Sequence, residues 1–343
     1  MISLKKPSQP KTFYKIYGLL ALITLVLAIS SIAIGISKIP PFEVCKILFY
    51  RLLGEGYIET LDEGQLNIIF QLRIPRILMA LLTGINLAVT GAIYQALFKN
   101  DMADPFMLGI SSGASLGAGI GFMLGGFSPI YAFVGALIAN ILVTSLAGTK
   151  GKTPTVRLLL SGLAINYFFS AVLSLLRTYS DNKNLTLFAW GMGSLSGASY
   201  SRVFLLGFIT FPILSCFFFY RKELNLLLMG EDAAKAMGVD VGKLRRLFLV
   251  LSSLLVATTV CFTGTIGFVG LIIPHMVRLV FGANYQRTLP ITGLLGMIFV
   301  LCCDNLSRAL LSSSEIPLGI ITSLFGAPYF MYLIYKERKR SSL

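Results

Sequence analysis

The sequence predicts an all-α polytopic membrane protein of about ten helices, and three observations carry that reading. Hydrophobic residues make up 55% of the 343 positions against 13% charged, with a mean hydropathy of +0.80, a balance foreign to soluble domains. Uncharged stretches close to the roughly 20 residues that a helix needs to cross a bilayer recur along the whole chain. Lys and Arg collect in alternate connections between those stretches, as they do where loops face the cytoplasm. One bundle can hold all of these helices, so residues 1–343 read as a single transmembrane domain.

The first span, Ile16 to Ser37, follows Lys5, Lys6, Lys11 and Lys15. It is long for a signal peptide's apolar core and no small-residue cleavage site follows it, so it reads as retained. The outer loop Lys38 to Glu63 holds five of the fifteen acids, Glu43, Glu55, Glu59, Asp62 and Glu63. Within it, Phe42 to Leu53 spaces Val44, Ile47, Leu48 and Leu52 at helical intervals between Pro41 and Gly54, which predicts an interfacial helix.

Ile77 to Phe98 and Phe106 to Gly126 are the second and third spans, divided by the polar Lys99 to Pro105. Pro129 to Gly148 and Leu158 to Leu176 are the fourth and fifth, and Val203 to Tyr220 is the sixth. Before the sixth, the outer segment Tyr179 to Ser201 carries Trp190, the single tryptophan, which marks an interface or a short re-entrant piece. Arg221 to Arg246 is polar and helix-competent, better suited to meeting another protein than to linking two spans. Leu247 to Val277 runs 31 residues without a formal charge if His275 is neutral, too long for one crossing. Gly264, Gly267 and Gly270 weaken helix in its middle and Pro274 perturbs its end, so it divides into a span to Thr263 and a shorter one from Phe268 to Val280. Thr288 to Leu311, apolar except for Asp304 and Arg308, and Ile316 to Tyr335 complete the set.

Ten crossings place both termini on one side. With that side cytoplasmic, 20 of the 29 basic residues fall there, including Lys99, Lys150, Lys152, Arg221, Lys222, Arg245, Arg246, Arg278 and the tail Lys336 to Arg340. Residues 1–15, 221–246 and 336–343 are then cytoplasmic, in a multi-pass membrane protein. The net charge of +14 anchors loops at the membrane lipid of that leaflet and needs no nucleic acid partner. Four of the five cysteines fall in spans and His275 is the only histidine, so neither a disulfide framework nor a histidine-rich metal site is expected. A lone imidazole beside Pro274 reads first as a structural group satisfying backbone.

Gly109, Gly113, Gly117, Gly121 and Gly125 recur every fourth residue along the third span. Such a stripe serves close helix packing, and it equally suits the smooth lining of a translocation path. A weak echo pairs Thr90-Gly91-Ala92-Ile93 with Thr263-Gly264-Thr265-Ile266, running in opposite directions as in a 5+5 inverted repeat.

Several ordered motifs resemble one family, the membrane permease subunits of bacterial ABC importers for iron chelates (siderophores), haem and vitamin B12. They are LRIPR (Leu72 to Arg76), KNDMADPFMLGISSGA (Lys99 to Ala114), LLLSGLAIN (Leu158 to Asn166), LNLLLMGEDAAKAMGV (Leu224 to Val239), GTIGFVGLIIPHMVR (Gly264 to Arg278) and DNLSRALLSSSEIPLGIITSLFGAP (Asp304 to Pro328). The resemblance implies a type II importer: a pair of permeases, the second a copy or a paralogue, with two cytoplasmic ATPase subunits and an extracytoplasmic substrate-binding protein. It implies that this chain is no enzyme and holds no cofactor, with ATP and Mg carried by the partner ATPase. The chain agrees in having no G-x-x-x-x-G-K-[ST] phosphate loop.

The resemblance also implies roles for particular residues. Glu231, Asp232, Ala233, Ala234 and Gly238 match the element that docks into the ATPase: the two acids suit a helix start, the alanines close packing and the glycine a sharp exit. Arg73, Arg76 and Arg308, at outer ends of spans, match arginines offered to acidic residues of the binding protein; snorkelling to lipid headgroups is the competing reading. Asn100 with Met102 and Thr155 with Val156 match the cytoplasmic gate. Two positions depart from the family's pattern, Asp101 where proline usually follows the asparagine and Thr265 where proline is frequent after Gly264.

A secondary transporter driven by protons or sodium would need ionisable groups within the membrane. Asp304 is the main candidate, and Arg308 at i+4 points to structural pairing instead. No H-E-x-x-H or G-x-S-x-G supports a membrane enzyme. A ferric siderophore is the first expectation for substrate, with haem and corrinoids behind it.

Overall fold

The computed structural model describes residues 10–35, 37, 39–40, 42–47, 63–126, 129–148, 155–179, 189–311 and 314–341. Twelve helices organise them: α1 (Pro10–Ser31), α2 (Glu63–Phe98), α3 (Ile110–Met123), α4 (Pro129–Ala147), α5 (Thr155–Thr178), α6 (Tyr200–Phe219), α7 (Arg221–Met229), α8 (Glu231–Ala236), α9 (Val241–Thr263), α10 (Val269–Phe281), α11 (Tyr285–Ala309) and α12 (Leu318–Ser341). Among the described residues, seven helices are long and apolar enough to cross a membrane: α1, α2, α4, α5, α6, α9 and α11. Ile110–Met123, Val269–Phe281 and Leu318–Leu333 are shorter apolar helices.

Successive spans alternate in direction, so the bundle has a near end, where α1 begins, and a far end. Contacts distant in sequence agree on this: Tyr17 donates to the Arg287 carbonyl at the near end, and Arg76 meets Asp304 at the far end.

α2 is the central helix. Its buried face runs from Pro75 to Phe98 almost without interruption, because glycines let neighbours approach to backbone contact. A Cβ on Gly84 would lie 2.3 Å from the Gly296 carbonyl oxygen of α11, and one on Gly91 would lie 1.9 Å from the Gly270 carbonyl oxygen of α10. Polar side chains tie the same helix sideways: Asn86 Nδ2 donates to Thr210 Oγ1 of α6 (2.9 Å) and to Thr259 Oγ1 of α9 (3.1 Å). Each such bond within a membrane contributes on the order of 1 kcal/mol.

Several boundaries differ from the sequence expectations. α1 starts at Pro10 and ends at Ser31 rather than running from Ile16 to Ser37. α2 begins at Glu63, not Ile77, and its turn Ile68–Arg73 is π-helical. Pro75 lacks an N–H and crowds the preceding turn, which opens to accommodate it. The third span is shorter than Phe106 to Gly126: a 3-10 turn, Pro105–Leu108, precedes Gly109 at φ +77°, and α3 stops at Met123. The break between α9 and α10 falls where the glycines and Pro274 placed it, α9 ending at Thr263 and α10 beginning at Val269. The four-residue echo does not join equivalent places, since Thr90–Ile93 is interior helix whereas Gly264 to Ile266 form a non-helical connection.

Residues 42–47 are helical and bury Val44 and Ile47, the periodicity read for the outer loop. Its continuation to Leu53, most of the acidic loop, residues 1–9, Lys150 and Lys152 lie outside the described residues. Trp190 packs inward: its carbonyl oxygen would sit 2.1 Å from a Cβ on Gly264.

Candidate functional site

At the near end α6 passes directly into α7, with Tyr220 closing one helix and opening the next. α7 buries Leu224 and Leu227 and leaves its basic residues Arg221 and Lys222 exposed. Asn225 fastens it to α11, accepting from the Tyr285 N–H (2.7 Å) and donating to Asn284 Oδ1 (3.0 Å). After Gly230 the short α8 begins on Glu231 and Asp232, whose charge suits the positive end of the helix. It ends in a Schellman closure, with the Val239 N–H bonded to the Ala234 carbonyl (3.0 Å) and the Gly238 N–H to Lys235 (2.9 Å). Gly238 has φ +84°, a conformation costly for any residue with a Cβ.

Ala234 is buried and Ala233 half-buried, while Asp232, Lys235 and Gly238 face outward. Met229 and Met237 flank the helix at 72% and 64% exposure, apolar side chains on an otherwise polar knob. Glu231 Oε1 accepts from Arg245 Nη2 at 2.6 Å, pinning α8 to α9. That hydrogen bond holds the Glu231 carboxyl below its ordinary value, and the Lys99 charge adds a smaller pull.

Beside this knob, α2 ends on Lys99 in the left-handed conformation, φ +48°. Asn100 then organises the loop, its Oδ1 accepting from the Met102 N–H (2.9 Å) and its carbonyl from Ala103 (3.1 Å). Asp104 caps the 3-10 turn by accepting from the Phe106 N–H at 2.7 Å. Burial pushes the Asp104 carboxyl up to about 6, against that hydrogen bond, which lowers it. Asp101, one of the two departures from the family pattern, forms an ion pair with Arg278 of α10 at 3.0 Å. His275 Nδ1 lies 4.0 Å from the same carboxylate, and Arg278 also donates to Gln95 Oε1 at 2.6 Å. Of the other expected gate residues, Thr155 opens α5 and Val156 is 64% exposed on its first turn.

At the far end three irregular connections interlock by main-chain bonds. Ser194 N donates to Thr263 O (2.8 Å), Leu318 N to Gly193 O (2.9 Å) and Gly319 N to Met192 O (2.9 Å). Thr265, the second departure, donates its hydroxyl to the Gly191 carbonyl. These connections, with the first turns of α12, line a cleft of about 650 Å³ that extends along the bundle to Phe106 and Ser111, next to the near-end loop. Small groups such as Thr265, Gly267, Gly319 and Ser323 border it together with the larger apolar Phe106, Met192, Ile320 and Leu324.

The three arginines expected at the outer surface are instead buried, at 5%, 8% and 3% exposure for Arg73, Arg76 and Arg308. Neither contact with a binding protein nor snorkelling to headgroups is what these side chains do within the bundle, where they turn inward. Arg76 pairs with Asp304 (2.9 Å) and Glu315 (2.7 Å), and Arg308 Nε lies 3.0 Å from Asp304 Oδ2. Arg73 donates to the carbonyls of Ile32 and Ser37, and Arg308 to that of Ile34. The guanidinium groups turn inward because the chain beyond α1 supplies carbonyls and α11 supplies a carboxylate, which together replace water around the buried charges.

The glycine stripe divides. Gly113, Gly117 and Gly121 lie against α4, where Cβ atoms would meet the Gly135 carbonyl oxygen at 2.4 Å, the Tyr131 carbonyl oxygen at 2.0 Å and the Tyr131 ring at 3.0 Å. Gly109 is the turn before α3, and Gly125 lies past its end with nothing within 4 Å of a Cβ. Among the described residues no group of three or more His, Cys, Asp or Glu side chains is assembled that could hold a metal.

Comparison with known proteins places this geometry. Residues 22–336 match the model of the FecCD transport family. The chain is 40% identical to the cobalamin import system permease protein of Halobacterium salinarum, over 88% of this chain and 81% of that one. It is 35% identical to the hemin transport system permease protein of Yersinia pestis, over 95% and 96%. A solved inward-facing structure of a metal-chelate type ABC transporter superposes with a TM-score of 0.80 at 34% identity, covering 94% of this chain and 99% of that one.

Proposed function

This chain belongs to the FecCD transport family, as a multi-pass permease of an ABC importer, and from that premise we propose that it passes a ferric siderophore inward on behalf of an ATPase carried by other chains. The observation that carries the reading is the near-end knob: a helix closed by Gly238, pinned to α9 by Glu231 and Arg245, and flanked by exposed Met229 and Met237. Such a small rigid surface with apolar side chains fits insertion into a partner's groove. Two ATPase subunits bearing ATP and Mg would bind there, one for each of two paired permeases, and this chain would hold no cofactor of its own.

In this reading the near end is cytoplasmic, both termini lie there, and the seven long and three shorter apolar helices make ten crossings arranged as a 5+5 inverted repeat. The loop 99–104 and the first turn of α5 form the gate. The far-end cleft is one wall of the path, completed by the second permease, and its small side chains let a bulky chelate pass without reading its chemistry. Selection then rests with the extracytoplasmic binding protein. Glu315, half-exposed beside Arg76, is the part of the far-end charge cluster such a protein could reach.

Haem and corrinoid import are favoured next, because relatives named for hemin and cobalamin match over most of their length. Ion-coupled transport is disfavoured by Asp304, whose carboxylate is held between Arg76 and Arg308. Proteoliposomes holding the whole transporter should take up ligand with ATP inside even when the proton and sodium gradients are collapsed; uptake that dies with the gradients and ignores ATP sinks the proposal. Titrating the binding protein with a ferric hydroxamate, haem and cobalamin then decides among the substrates.

A further inference from the structure

The loop 99–104 is fixed within itself by Asn100 and fixed to the bundle by Asp101. Arg278 receives that carboxylate from a set position, since Gln95 Oε1 accepts from it at 2.6 Å while Gln95 Nε2 donates onward to the Leu271 carbonyl at 3.1 Å. The receiving side is enclosed, the Arg278 side chain being 16% exposed, whereas Asp101 is 52% exposed on a loop. One member is held by helices and the other is free to leave.

We propose that Asp101 is a positioning residue of the transport cycle, its ion pair with Arg278 forming a releasable latch that ties the gate loop to α10. This rests on the permease reading above. The strength of the contact fits such a latch, because a half-exposed pair contributes little and is therefore broken easily and re-formed easily. Lys99, at the base of the loop, lies within electrostatic reach of Glu231 on α8. His275 and Arg278 are the groups of α10 that face the departing carboxylate.

The test uses the full transporter in inside-out membrane vesicles, with Met102→Cys as reporter on the loop and a membrane-impermeant maleimide as probe. Adding Asp101→Asn should speed labelling about three- to fivefold, the population shift a pair of this exposure can supply, and raise ATP hydrolysis without raising uptake. Asp101→Glu, which restores the charge on a longer arm, should return labelling toward the parent. Labelling of Asp101→Asn equal to the parent, or of Asp101→Glu as fast as Asp101→Asn, overturns the latch. If a Met102→Cys parent that still takes up ligand at the unsubstituted rate labels identically with and without ATP, the latch loop does not move in transport and the proposal is overturned, whereas unsubstituted protein that takes up no ligand with ATP fails the permease reading itself.

Discussion

Asp304 and Asp104 show how differently one side-chain type behaves at the two ends of this bundle. Asp304 is wholly buried and balances two arginines, so Asp304→Leu leaves cationic charge uncompensated in a dry interior. We expect a loss of about 3 kcal/mol or more in stability, read as a lowered midpoint for unfolding in detergent; an unchanged midpoint would show that the backbone carbonyls and Glu315 suffice. Burial disfavours the charge of Asp104 and pushes its carboxyl up to about 6. Its folded value lies above the unfolded one, so its contribution to stability is present at low pH and lost as pH rises through about 6. Asp104→Asn should flatten the stability profile across that window, as checked by melts at pH values on either side; a profile identical to the parent's would contradict it. The sequence displayed the Asp304 and Arg308 spacing but not Arg76 or Glu315, which approach from α2 and from the chain after α11.

At the scale of elements, the near-end knob proposed for coupling is the part whose local sequence dictated its form. Acids at a helix start, small residues and a terminal glycine are local signals, and α8 with its Schellman closure is what they specify. Gly238→Arg should be tolerated by insertion, since a Cβ there meets nothing within 4 Å. The left-handed backbone would cost the new residue on the order of 1 kcal/mol, and the long cation would stand on the docking face. The expected result is a normal amount of permease in the membrane with ATP-driven uptake abolished, and uptake at the parent's rate would remove α8 from the coupling role. Helix lengths were less legible. Gly109 in a stripe looks like its neighbours, yet its φ of +77° makes it a turn and shortens α3. The closest approaches to the central helix come through Gly84, Gly91, Gly270 and Gly296, which share no period because they lie on three different helices.

Taken whole, the molecule alternates near and far ends through every apolar helix, and the orientation proposed above is argued from where the basic residues stand. Arg221, Lys222, Arg245, Arg246, Arg278 and Arg287 all belong to the near end, which the positive-inside tendency assigns to the cytoplasm. With Cys45, exposed in the outer loop, replaced by serine, a reactive cysteine at Lys235→Cys on α8 should react with an impermeant maleimide only in inside-out vesicles or opened cells. Labelling of intact cells would reverse the orientation.

The sequence by itself determined that the chain is a bundle of apolar helices, where most of them lie, the break after Thr263, and the short helix Glu231–Ala236 with its glycine closure, because each depends on residues close together in the chain. The tertiary structure alone decided the fate of charge. Arg73, Arg76 and Arg308 read as surface arginines until the bundle enclosed them with Asp304, Glu315 and the carbonyls after α1. Asp101 read as an irregularity until α10 brought Arg278 to it across 177 positions. Burial and ion pairing are set by which helices become neighbours, and that depends on packing across the whole bundle rather than on any spacing along one segment.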